Sequence, residues 1–136
     1  MKKIRHFISV ILSATLLSSC SATGSSSPES AARRDYRTIT MEEAVLMMQE
    51  EQNYIILDVR RPDEYALGHI PGAINVANET IGTAEISELP NKAQLILVYC
   101  RSGRRSKEAA EKLVKLGYTN IVEFGGILDW TGEIEK

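Results

Sequence analysis

Cysteine, histidine and tryptophan are scarce in this chain of 136 residues: two cysteines, two histidines and one tryptophan. Two cysteines, Cys20 and Cys100, cannot build a disulfide framework. His6 and His69 lie far apart, with His6 in the basic N-terminal stretch, so the histidines make no metal centre. No apolar run reaches the roughly 20 residues that a membrane-spanning helix needs; the longest, Phe7 to Leu17, falls well short. Excess positive charge is missing too. The net charge of -2 argues against nucleic acid as a partner. What remains, 43% hydrophobic and 25% charged, is the composition of one ordinary globular domain.

The N-terminus has its own pattern. Met1-Lys2-Lys3-Ile4-Arg5 is basic, the short apolar run follows, and small residues come next, as in a secretory signal. Leu17-Ser18-Ser19-Cys20 resembles the lipobox of bacterial lipoproteins, which implies a signal peptide over 1–19 and lipidation of Cys20. Two acyl chains hold a protein at a membrane stably where one does not. The expected location is therefore the bacterial cell envelope, on the outer leaflet of the cell membrane or, in a double-membrane cell, facing the periplasm. Ser21 resembles the residue that directs such proteins to the outer membrane. Residues 20–35, rich in serine with Gly24 and Pro28, read as the lipidated end and a flexible tether, and the folded domain as 36–136. Cys100 is then the one thiol of the processed chain.

Within that domain, apolar β-branched runs alternate with helical spacing. Strands are expected over Tyr36–Ile39, Tyr54–Val59, Ala73–Val76, Leu95–Tyr99 and within Tyr118–Phe124. Thr40 and Glu43 have the spacing of a capping box ahead of a helix carrying Ala44, Val45, Met47 and Met48. Pro62 suits the first turn of a short helix closed by Gly68, and Gly125-Gly126 is expected to open a last helix that buries Trp130. Ile81–Leu89 fits a loose helix or a loop. The alternation gives an α/β fold: a five-stranded, mostly parallel sheet with helices on both faces. Ligands of such sheets gather beyond the strand C-termini, where Asp58, Arg60 and Cys100 all fall.

The richest stretch is Cys100-Arg101-Ser102-Gly103-Arg104-Arg105, between a buried strand and a helix. Unpaired amides and the helix dipole make a helix start partly positive, and three arginines add formal charge. Such surroundings stabilise a sulfur anion. The competing reading is a buried structural cysteine. Clustered guanidiniums are not core material, however, and Gly103 between them marks a turn or a close backbone approach.

Three blocks now resemble the single-domain rhodanese family. They are Leu57-Asp58-Val59-Arg60 with Glu64-Tyr65 and Gly68-His69-Ile70-Pro71-Gly72-Ala73-Ile74-Asn75, then Cys100 to Ser106, then Gly117-Tyr118 and Gly125-Gly126-Ile127 with Trp130. The resemblance implies a sulfurtransferase of the thiosulfate type. Cys100 would be the nucleophile that becomes a persulfide; Arg101, Ser102, Gly103, Arg104 and Arg105 would form the cradle; and no cofactor would be needed. The implied partners are a small anionic sulfur donor, a thiol or cyanide acceptor, the membrane through Cys20, and an envelope protein as a further acceptor. Ser106 stands where phosphatase relatives need arginine, and Tyr99 where they have histidine, so phosphatase chemistry does not fit. Ser102 replaces the lysine of thiosulfate-specialised two-domain members, and the charged loop departs from the uncharged one of mercaptopyruvate users. Supporting roles fall to Asp58 and Arg60, as an ion pair or cap rather than substrate ligands, and to His69 as an orienting group. Arg60 and Glu64, four apart, are spaced to pair on one helical turn. Two other functions use the same residues: a persulfide or disulfide shuttle for a partner protein, and a binding module that keeps the fold without catalysis.

Overall fold

The computed structural model describes residues 35–82 and 84–136. The leader, Cys20 and nearly all of the tether lie outside those residues. Five strands form one sheet: β1 (Arg37–Thr38), β2 (Tyr54–Asp58), β3 (Ile74–Asn75), β4 (Leu95–Cys100) and β5 (Ile121–Gly126). Their order is β1-β5-β4-β2-β3, and every neighbouring pair is parallel. The sheet expected to be mostly parallel is parallel throughout.

Helices α1 (Met41–Glu50), α2 (Pro62–Leu67) and α3 (Arg104–Lys115) cover both faces. Alternation along β4 divides the core between them. Ile96, Val98 and Cys100 pack toward Ala109, Ala110 and Leu113 of α3. Leu97 and Tyr99 pack on the other side with Ala44 of α1, Met47 and Met48 beside it, and Tyr65 of α2. A strand covered on both faces has no polar side to show, which is why β4 reads as an unbroken apolar run.

Local signals work as their chemistry requires. Thr40 caps α1, its hydroxyl accepting from Glu43 N at 3.2 Å while Glu43 accepts from Thr40 N at 2.8 Å. Pro62 opens α2, and Gly68 closes it. Ile81–Leu89 is irregular in its described residues, preceded by a single 3-10 turn at Asn78–Thr80. The end of the chain departs from expectation. Gly125 and Gly126 finish β5 instead of opening a helix, and only one 3-10 turn, Ile127–Asp129, follows. Trp130 sits beyond that turn, half-buried against the α1 side of the core, its indole N–H donating to Glu133 O at 2.9 Å. Among the described residues no helix is long and apolar enough to cross a membrane.

Candidate active site at the end of the central strand

Strand β4 ends on Cys100, and its side chain is 1% exposed on the α3 side of the sheet. The chain then turns through three residues into α3. Gly103 makes the turn at φ 99°, a left-handed value that costs glycine nothing, and its amide donates to Cys100 Sγ at 3.1 Å. The sulfur is thus held at the start of a twelve-residue helix, where the dipole favours negative charge.

The loop rests on β5, which is irregular there. Val98 is in register with Glu123 but Cys100 with Gly126, so β5 carries one extra residue, and Gly125 within it has φ 95°. This bulge brings Gly126 directly under the loop. A Cβ on Gly126 would lie 2.1 Å from the carbonyl oxygen of Arg101 and 2.5 Å from Ser102 Cα. The glycine is required by close backbone approach.

Beneath the loop lies a residue that sequence reading missed. Glu123 is fully buried on the Cys100 side of the sheet. Its Oε1 accepts from Gly125 N at 2.9 Å and lies 2.6 Å from Ser106 Oγ, which also reaches Gly103 O at 2.9 Å. Its Oε2 has no partner. The Glu123 carboxyl and the Ser106 hydroxyl tie β5 to Gly103, whose amide contacts the sulfur. One acidic residue inside an apolar strand, on the face shared with Val98, was the available signal.

The three loop arginines are not equivalent. Arg105 forms a two-pronged pair with Glu64 of α2, at 2.6 and 2.9 Å. Hydrogen bonding from Arg105, strengthened by its charge, holds the Glu64 carboxyl down at about 2. Arg104 points outward to Glu108 at 2.6 Å, one turn along α3. Arg101 is exposed and forms no ion pair among the described residues; Ser102 beside it is also exposed.

Asp58 and Arg60 reach the same rim on the opposite face. Asp58 is fully buried and accepts from Arg60 N at 2.9 Å, from its guanidinium at 2.6 and 3.0 Å, and from Tyr99 OH at 2.6 Å. Tyr99 OH in turn accepts from Ile70 N at 3.1 Å, and Arg60 donates to Gly68 O at 2.8 Å. Burial and the Asp58 contact push the tyrosine hydroxyl well above its ordinary range. Burial alone works against the Arg60 charge, but Asp58 outweighs it and the guanidinium is held more firmly protonated. Asp58 and Arg60 form the expected ion pair, whereas the pairing of Arg60 with Glu64 expected from spacing does not form, because Glu64 pairs with Arg105. His69 stacks on Tyr65 at 3.7 Å, and its Nδ1 donates to Tyr65 O at 3.0 Å. Its backbone bridges to Glu135, fastening the C-terminal segment to the turn after α2. Among the described residues no three His, Cys, Asp or Glu side chains cluster as metal ligands.

Fold and site together define a parallel α/β domain whose central strand delivers one thiol to the mouth of a helix. A family model for the rhodanese-like domain matches residues 40–133, and the chain belongs to that family. Thiosulfate sulfurtransferase PspE of Escherichia coli (strain K12) is 37% identical over 73 residues, spanning 54% of this chain and 70% of that protein. A sulfurtransferase of Allochromatium vinosum is 35% identical over 82 residues, 60% of this chain and 75% of the relative. Other curated relatives are longer, and the chain spans about half or less of three of them. Among solved structures, a rhodanese with anions from E. coli superposes with a TM-score of 0.56 at 34% identity, over 61% of this chain and 98% of that one.

Proposed function

We propose that the protein moves a sulfane sulfur from a small anionic donor of the thiosulfate type to a thiol or cyanide, carried as a persulfide on Cys100. The observation that carries this reading is the 3.1 Å contact between Gly103 N–H and Cys100 Sγ at the start of α3. The Cys100 thiolate attacks the outer sulfur of thiosulfate; the donor's S–S bond breaks, sulfite leaves with its electron pair, and Cys100 keeps a terminal persulfide anion. Cyanide then takes that outer sulfur as thiocyanate, returning the thiolate. The Gly103 amide, fixed at the helix start, favours the anion in both forms. Arg101 and Arg104, at the surface of the loop, draw an anionic donor inward. Arg105 is engaged with Glu64 and serves as a strut for the loop.

The relatives support the class of reaction, since the E. coli protein at 37% identity and the Allochromatium vinosum protein at 35% are named sulfurtransferases. The test is thiocyanate formation from thiosulfate and cyanide by the purified chain. Turnover that disappears in Cys100→Ser supports the proposal; a folded wild-type protein with no turnover rejects it. The N-terminal pattern supports a second part of this reading, attachment to the cell envelope through lipid on Cys20. Mass spectrometry of the protein from its own cells tests that part: an unlipidated Cys20, or a retained leader, removes it.

A further inference from the structure

Exposed large apolar side chains are few among the described residues: Leu46, Leu67, Leu128 and Ile134. Three of the four converge. Leu67 at the end of α2, Leu128 after β5 and Ile134 near the C-terminus line one open groove of about 360 Å3, together with Gly68, Ile127 and Arg101. Scattered exposed leucines mean nothing, but a contiguous set that meets Arg101, the loop residue after Cys100, marks a contact surface. Leu67 is 79% exposed and Leu128 64%. Neither serves the core.

The groove shares a wall with the sulfur-bearing loop. Leu128 N donates to the carbonyl of Arg101 at 3.2 Å, so the apolar turn is fastened to the residue that follows Cys100. The far wall is held by the bridge between His69 and Glu135, which places Ile134 against Gly68. Two other charged residues reach the groove, and both are neutralised: Arg60 by Asp58 and Glu64 by Arg105. Arg101 is left as the net charge of the surface. Thiosulfate and cyanide have no apolar surface with which to use three aliphatic side chains.

We propose that this groove docks the sulfur acceptor, a cysteine in an extended protein segment with apolar side chains beside it and a carboxylate facing Arg101. The inference rests on the sulfurtransferase reading and names its acceptor class. The acceptor thiol attacks the outer sulfur of the Cys100 persulfide anion. A new S–S bond forms in the segment, the old one breaks, Cys100 leaves as the thiolate, and the thiol proton passes to the transferred sulfur.

The test uses the full chain, loaded with sulfur from thiosulfate, and three blocked peptides: Leu-Cys-Leu-Glu, Ser-Cys-Ser-Glu and Leu-Cys-Leu-Lys. Sulfur transfer to the first is expected to be about ten-fold faster than to the second, the effect of partly burying leucine side chains. The lysine peptide is expected to be slower by about three-fold, and high salt should erase that difference. Leu67→Ser and Leu128→Ser should each abolish the leucine preference while thiosulfate:cyanide turnover stays within about two-fold. Equal rates for the first two peptides, or a preference that survives both substitutions, overturn the groove while leaving cyanide turnover intact. Dimerisation lost in Leu128→Ser, without any peptide preference, gives the groove to a second copy and also overturns the proposal. A chain that accepts no sulfur from thiosulfate fails at the earlier step and takes this inference with it.

Discussion

Tyr99 and Cys100 are consecutive residues of one strand, and they point into opposite kinds of surroundings. On the Tyr99 side, Asp58, Arg60, the tyrosine hydroxyl and the Ile70 amide satisfy one another in a closed network. On the Cys100 side, the sulfur has one amide contact, and the carboxylate beneath it keeps an unpartnered oxygen. A saturated buried network fixes geometry, because breaking it strands a charge in the interior. A sparsely bonded sulfur at a helix start remains free to change its covalent state. The simple alternation of side chains along β4 thus separates the closed network from the sulfur.

Substitutions on the two sides should therefore separate activity from stability. The largest expected effect is Cys100→Ser, which should lower thiocyanate formation by about 1000-fold or more. Its unfolding free energy should change by no more than about 1–2 kcal/mol, read by denaturant melts. Asp58→Ala should do the converse to stability, costing about 3–5 kcal/mol by leaving the Arg60 guanidinium buried without its partner. If that variant melts like the wild type, the network does not hold the rim. Gly126→Ala lies between the two. Its methyl group meets the Arg101 carbonyl, so about 1–3 kcal/mol of stability and at least about ten-fold in turnover should be lost together.

The smallest effect concerns pH. Glu64 is held at about 2 against an ordinary 4.5, so its pair with Arg105 stabilises the fold fully above 4.5 and loses that contribution as pH falls toward 2. Acid melts should show about 1–2 kcal/mol of this dependence missing from Glu64→Gln. Identical acid profiles for the two proteins would remove Arg105 from its role as a strut.

Much of this arrangement was readable beforehand because its causes are local. The capping box at Thr40, the proline at the start of α2 and the unbroken apolar β4 each depend on residues within a few positions. Cys100 could be placed at the mouth of a helix by the same means. What escaped depends on contacts across the fold. Glu64 and Arg105 are 41 residues apart, and no spacing rule pairs them. The Asp58–Arg60 pair, two residues apart, was legible and holds; the spacing that also offered Glu64 to Arg60 failed because Glu64 is taken by Arg105. Gly125-Gly126 carries the composition of a helix start and is instead a bulge, needed because another backbone lies on top of it. Glu123 escaped for a related reason, since its partners, Ser106 and Gly125, gather only once β5 lies beside β4.

The most direct test is the intact mass of the protein after brief exposure to thiosulfate and desalting. The expected result is the gain of one sulfur atom, mapped to the peptide containing Cys100, absent in Cys100→Ser and removed by cyanide. A wild-type mass that does not change, or sulfur that remains bound in Cys100→Ser, would contradict the assignment of Cys100 as the sulfur carrier.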